Sequence, residues 1–230
     1  MIRLNPMCGR FTQTASPAVI AEEFGVAVPP LFTPRYNIAP SQPVAAIRIE
    51  PGTTARQLVE LRWGLIPSWA KDPKIGHQCI NAKAETVAEK PSFRAAFKAR
   101  RCLVIATGFY EWQVRGKAKQ PMWIGLKSSH PFAFAGLWEQ WQPPEGAAIE
   151  SCTILTTEPN ELLRPIHNRM PVILSPTSYD QWLDPSFQQA EPLRALLRPY
   201  PSEDLQAYAV STLVNNPRHE APDCLEPLPA

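Results

Sequence analysis

CLVIATGFYEWQVRGKAKQPMWIGL, residues 102–126, is the stretch whose reading decides the fold. Its apolar runs are short (102–106, 109–113 and 122–126), and turn chemistry such as Arg115-Gly116-Lys117 parts the last two. Runs of this length, rich in β-branched and aromatic residues, read as strands. Downstream, 132–138 and 148–156 repeat the pattern across Pro143-Pro144-Glu145-Gly146. Upstream, 43–49 (Val44, Ile47, Ile49) and 58–65, closed by Pro67, do the same. Short strands at regular spacing predict a curved sheet or partial barrel. Helical signals are brief: 17–24 with Val19, Ile20 and Phe24, a helix opened by Pro91, one from Thr157-Pro159 to Pro165, 176–182 and 192–197. Two further strands, 170–174 and 205–213, precede a Pro-rich tail. The expected class is α+β, a single domain with a curved, mostly antiparallel β core and short flanking helices.

Composition narrows the function. A chain of 230 residues buries one good core, and no linker divides it. The 27 prolines, about twice the usual share, favour turns and loops over a helical bundle. Net charge is only +2, so a nucleic-acid surface must come from local clustering. Five cysteines (Cys8, Cys79, Cys102, Cys152, Cys224), an odd number without paired spacing, predict free thiols in a reducing compartment. The four histidines are scattered, so no metal or other cofactor is expected. Met1–Pro6 is too short and polar for a secretory signal, and no apolar run has the length of a membrane span. The expectation is a soluble cytoplasmic protein without a membrane partner.

Chemistry-bearing residues fall in a few segments. In Met7-Cys8-Gly9-Arg10-Phe11, a chain started at Met7 and trimmed would begin with Cys8, carrying an α-amine and a thiol on adjacent carbons. Such a 1,2-aminothiol condenses with an aldehyde to an imine, and the thiol then closes a five-membered thiazolidine. That second step is intramolecular and correspondingly fast. With the preceding residues in place the nitrogen is an amide, and on this motif alone Cys8 reads first as a small buried hydrophobe. Asn81 and Lys83 lie two apart in an extended stretch that aims both to one side. Glu111 stands among Phe109, Tyr110 and Trp112, where enclosure would raise its pKa towards neutrality. His167 and Arg169 sit between Pro165 and Pro171. Of the tryptophans at a strand end, Trp63 reads as core, and Trp69 is a candidate for stacking on a base. Between Lys83 and Arg101 lie six basic residues, with Phe93, Ala96 and Phe97 on one helix face and Arg94, Lys98 and Arg101 on another. Such a stripe is ordinarily a solvated face, and phosphate tracking needs companion evidence.

Six segments occur in order: Met7-Cys8-Gly9-Arg10-Phe11, Arg35-Tyr36-Asn37-Ile38-Ala39-Pro40, Trp63-Gly64-Leu65-Ile66-Pro67-Ser68-Trp69, Asn81-Ala82-Lys83-Ala84-Glu85-Thr86, Gly108-Phe109-Tyr110-Glu111-Trp112 and His167-Asn168-Arg169-Met170-Pro171. In this the chain resembles the SOS-response-associated peptidase (SRAP) family, the abasic-site processing proteins. The resemblance implies an SRAP-like domain over 7–225, with 1–6 an extra segment absent from or removed in the active form. It implies capture of abasic sites in single-stranded DNA by a thiazolidine crosslink, with amino-terminal self-processing and a strand-cleaving lyase activity. Carried over by motif, Cys8 is the nucleophile, Asn81 holds the sugar or the new ring, Glu111 moves protons, and His167 assists ring opening and reversal. Arg10, Lys83 and Arg169 hold phosphates and Trp69 presses on a splayed base. Lys90 and Arg94 of the basic block join the DNA-binding set. The protein is expected to act as a monomer at the nucleoid, with any replication partner unspecified.

Three departures stand against the family pattern. Six residues precede Met7, and an early assigned start is favoured over processing because Met7 is itself the expected initiator. Lys83 replaces the commoner Arg, losing bidentate phosphate geometry. Asn168 replaces the commoner Asp beside His167. Two alternatives remain open from the residues: an amide hydrolase acylated on an amino-terminal cysteine, and a non-catalytic reader of modified DNA.

Overall fold

The computed structural model describes residues 8–27, 33–50 and 52–229. The question of Met1–Met7 therefore lies outside the described residues. Among the described residues thirteen strands run in chain order: β1 Phe11–Gln13, β2 Arg35–Ile38, β3 Pro43–Ile49, β4 Arg56–Trp63, β5 Asn81–Lys83, β6 Arg101–Ala106, β7 Gly108–Arg115, β8 Ala118–Leu126, β9 Phe132–Trp141, β10 Ile149–Thr157, β11 Met170–Pro171, β12 Ile173–Leu174 and β13 Leu205–Ala209. The helices are short: α1 Pro17–Phe24, α2 Arg94–Ala99, α3 Tyr179–Leu183 and α4 Ala190–Ala195. The expected α+β class with a mostly antiparallel β core holds, and the barrel is fuller than the partial one expected. Strands β10, β4, β3, β6 and β9 follow one another, and β9 pairs back to β10, which closes a five-stranded ring. Four seams of that ring are antiparallel; the fifth, β4 to β10, is parallel and rests on Ser151 opposite Arg62 and Cys152 opposite Trp63.

A second, five-stranded sheet in the order β13-β8-β7-β1-β2 packs on one face of the ring. The faces separate residue by residue. Cys102, Val104 and Ala106 of β6 meet Phe11, Phe109 and Ile124 of that sheet. Leu103 and Ile105 meet Ile20 and Phe24 of α1, Phe97 of α2 and Trp182 of α3. A strand covered on both faces needs apolar residues at every position, which is why β6 is a continuous hydrophobic run.

Local signals explain the ends of α1. The Ser16 side chain accepts from the Val19 N–H, Pro17 occupies the first helical position, and Gly25 takes the left-handed conformation (φ 63°) at the C-cap. Ile20 and Phe24 are buried, while Val19 faces solvent. Three sequence expectations shift. The stretch from Thr157 to Pro165 forms turns rather than a helix, the expected strand over 170–174 divides into β11 and β12, and the last strand ends at Ala209. The basic stripe also loses one member, while Arg94 and Lys98 stay exposed on α2. Arg101 is a buried β6 residue whose five guanidinium N–H groups go to the carbonyls of Phe97, Lys98, Trp182, Asp184 and Phe187.

Between β4 and β5 the chain leaves β10 and returns to it. Gly64 N–H donates to the Cys152 carbonyl, and Ile154 N–H donates to that of Ile80. The neck of this loop is pinched where Gly64 (φ 127°) meets Gly76, and a Cβ on Gly64 would lie 2.8 Å from the Gly76 oxygen. Trp69 rides on the loop, and Asn81 begins where it rejoins.

Candidate active site

The β1–β7 ladder sets the site. Phe11 faces Phe109, Thr12 faces Gly108, and Tyr110 N–H donates to the Arg10 carbonyl at 3.0 Å. Extended, this register brings Gly9 alongside Glu111. Cys8, turned out of the strand at φ 39°, directs its backbone N–H at Glu111 Oε1, 2.7 Å away. Asn81 Nδ2 lies 3.5 Å from the Cys8 carbonyl oxygen, brought there by β5 pairing with β10 at Ile154. Trp63, buried as expected, donates from Nε1 to the Ile80 carbonyl and braces that approach. Three predicted residues, Cys8, Asn81 and Glu111, thus meet at one point from three distant parts of the chain.

Burial sets the electrostatics there. Glu111 is 3 % exposed, and loss of solvent pushes its carboxyl up to about 8, against the pull of the Cys8 and Trp112 backbone N–H groups. At neutral pH both protonation states are within reach, which a proton-shuttling acid requires. Burial, and secondarily the Glu111 charge, holds the Cys8 thiol well above its ordinary range, so the sulfur is a thiol rather than a thiolate. All five cysteines are free and buried, but only Cys8 has a buried carboxyl at its backbone nitrogen.

His167 is half-buried. Its Nδ1 lies 3.2 Å from the Arg169 N–H and 3.3 Å from the Arg169 carbonyl, and burial lowers its pKa. Gln113 Nε2 donates to the Pro165 carbonyl at 3.2 Å, tying this segment to the strand that carries Glu111. The cations divide. Arg169 is committed in a bidentate pair with Glu85, at 2.5 and 2.8 Å, and also donates to the Thr156 carbonyl. Arg10 donates to Asn37 Oδ1 and to the Val214 carbonyl. Lys83, Lys90 and Arg94 are exposed, with no ion pair of their own among the described residues. Trp69 is 58 % exposed, and its Nε1 lies 3.4 Å from the Pro91 carbonyl, next to Lys90.

Sequence reasoning missed Asn37, whose side chain ties Arg10 to the carboxy-terminal segment; nothing in its local pattern marks that role. Among the described residues, the one group of side chains close enough to hold a metal is His219, Asp223 and Cys224, and His219 Nε2 is already 2.7 Å from Asp223 Oδ1. None of the three contacts Cys8 or Glu111 through a hydrogen bond.

The family model "SOS response associated peptidase (SRAP)" matches residues 7–217. The chain is 50% identical to the abasic site processing protein YoqW of Bacillus subtilis over 224 residues, covering 96% of this chain and 99% of that one. It is 34% identical to the abasic site processing protein HMCES of Gallus gallus, covering 86% of this chain and 67% of the relative. A crystal structure of a protein from Bacteroides thetaiotaomicron superimposes with a TM-score of 0.84 at 29% identity, over 96% of this chain and all of that one. From these matches, the chain belongs to the SRAP family.

Proposed function

We propose that this protein processes abasic sites in DNA, and that in a form beginning at Cys8 it captures the ring-opened sugar aldehyde in single-stranded DNA as a thiazolidine. The observation that carries the reading is the 2.7 Å contact between the Cys8 nitrogen and the buried Glu111 carboxyl. In the chain described here that nitrogen is an amide. Released, it is an α-amine at the same place, and more of it is free base at neutral pH than of a lysine, since an α-amine titrates at about 7.7–8.0.

The nitrogen attacks the aldehyde carbon, and the carbonyl oxygen leaves as water after taking protons that Glu111 relays. The thiol then adds to the imine carbon while its proton passes to the nitrogen. The net change is one C–N and one C–S bond formed and one water lost. A protonated thiol suits this order, because the amine attacks first and the sulfur only closes the ring. His167 serves the opening of the closed sugar, and Asn81 holds the sugar or the new ring. Trp69 stacks on a base, and Lys83, Lys90 and Arg94 meet phosphates. Arg10 and Arg169 reach phosphates only by sharing or exchanging their present partners. Recognition through sugar and phosphate carries little sequence preference. Self-removal of the amino-terminal segment and strand cleavage fit the same acid–base pair, acting on an amide and on the sugar respectively. We place the protein in the cytoplasm at the nucleoid, acting as a monomer; among the described residues no helix is long and apolar enough to cross a membrane.

The test is intact-mass spectrometry of a chain beginning at Cys8, before and after incubation with a single-stranded oligonucleotide holding one abasic site. The expected result is a gain of the oligonucleotide mass less one water, abolished by Cys8→Ala. Salt-sensitive binding without any covalent product refutes capture and returns the non-catalytic reader.

A further inference from the structure

Past β13 the chain does not simply trail off. Residues 211–225 lie as a strap along the second sheet, and their contacts concentrate on the neighbours of the reacting pair. Glu111 is flanked in β7 by Tyr110 and Trp112, whose side chains, by strand alternation, face away from it. The Tyr110 hydroxyl donates its one proton to the Tyr36 carbonyl at 2.8 Å and lies 3.3 Å from the Cys224 carbonyl of the strap. Trp112 Nε1 donates to Asn215 Oδ1 at 2.7 Å. Arg10, two residues beyond Cys8, donates to the Val214 carbonyl at 2.6 Å and lies 5.9 Å from the centroid of the Trp112 ring.

One side chain gathers these contacts. Asn37 is fully buried; its Oδ1 accepts from Arg10 at 2.7 Å, and its Nδ2 lies 3.3, 3.0 and 2.8 Å from the carbonyls of Val214, Asn216 and His219. Glu220 completes the fastening, with its carboxylate accepting from the Tyr36 and Asn37 N–H groups and from Arg35 Nε. The strap thus grips Arg10, just before β1, and Tyr110 and Trp112 on β7, on either side of the 2.7 Å contact.

We infer that the strap, fastened by Asn37 and Glu220, fixes the two strands so that the Cys8 nitrogen stays against the enclosed Glu111 carboxyl, which makes Asn37 and Glu220 positioning residues for the capture chemistry. The inference rests on the reading of Cys8 and Glu111 as the reacting pair. A loosened strap lets the strand ends part and water reach Glu111, so the carboxyl returns towards its ordinary range. Fastening the fold alone predicts no such change.

The experiment is carboxyl-carbon NMR titration of Glu111 in the full chain and in Asn37→Ala, beside the rate of adduct formation by the same two sequences beginning at Cys8, at saturating abasic oligonucleotide, and their affinity for undamaged single-stranded DNA. The expected result is a Glu111 pKa lowered by roughly one unit or more and an adduct rate down by about tenfold or more, with DNA affinity held within about twofold. Glu220→Gln, which keeps one acceptor oxygen, should show the same changes in smaller measure and serves if Asn37→Ala does not fold. An unchanged Glu111 titration in a folded variant overturns the inference, as does an equal loss of DNA affinity and rate. Because the titration needs no DNA, it stands even if the chain beginning at Cys8 forms no adduct, an outcome that would count against the capture reading instead.

Discussion

Glu111→Gln should remove a pH dependence from the stability of the fold. The wild-type carboxyl is buried and titrates near 8, against 4.5 for its ordinary reference. Between those values the folded chain keeps a proton that the unfolded chain has released. Its folded pKa is raised, so its contribution to stability falls as pH rises through the window. From pH 5 to pH 8 the loss works out at about 3 kcal/mol. Glutamine still offers Oε1 to the Cys8 N–H and has no proton to lose. Urea unfolding at half-unit pH steps should therefore show the wild-type midpoint sinking across this range relative to the variant. His167, lowered by burial, works in the opposite sense at and below the imidazole range, but it is present in both proteins and cancels in the difference. Parallel curves would refute the reasoning, because they would mean Glu111 is ionised in the fold. The same substitution should slow adduct formation by about 10²–10⁴-fold and leave DNA binding intact; equal loss of both would make Glu111 structural.

Other consequences are open to direct measurement. Arg101→Ala leaves five backbone carbonyls without their donor and should cost about 3 kcal/mol or more, read as a lowered melting temperature; a loss below 1 kcal/mol would contradict the burial. Trp69→Ala should leave stability unchanged within about 0.5 kcal/mol and weaken single-stranded DNA binding by about 1–3 kcal/mol, and unaltered binding would remove Trp69 from the interface. Removing Lys83, Lys90 or Arg94 should each reduce the slope of log affinity against log salt by about 0.7, so an unmoved slope rules that residue out as a phosphate contact. Gly64→Ala places a Cβ against the Gly76 carbonyl at a φ that side chains rarely adopt, and should destabilise by about 2 kcal/mol or more in chemical denaturation; a neutral result would mean the loop neck relaxes.

Much of the core was legible because burial on both faces leaves a mark on every residue. β3 and α1 lie where their apolar spacing puts them, and β6 to β10 are recognisable from their runs. Closure of the ring was not legible. It depends on two parallel residue pairs between β4 and β10, and no local pattern encodes a partner so far along the chain. The short strands β1 and β2 carry too few residues to show a period, yet β1 delivers Cys8. Glu111 was readable as a carboxyl to be enclosed by its aromatic neighbours. The commitments of Arg10 to Asn37 and of Arg169 to Glu85 were not, since a guanidinium looks equally free in sequence whether it meets solvent, DNA or another side chain. The strap hid for a related reason: apart from Asn215 and Glu220, the groups by which it is held are backbone carbonyls, which every residue has.

The parallel seam has a bearing on the order of folding. Antiparallel neighbours such as β3–β4 and β9–β10 form between segments close in sequence, at small loop-closure cost, whereas β4 finds β10 only after the intervening strands have closed up. The seam is thus the natural last step of assembly and the first to open again, and the Gly64 amide on Cys152 should exchange with solvent ahead of its barrel neighbours. Further along the same edge of β10 lies Asn81. A transient opening there would carry Asn81 away from Cys8 while the β1–β7 ladder stays intact, so the site would come apart in two unequal halves rather than melt as one.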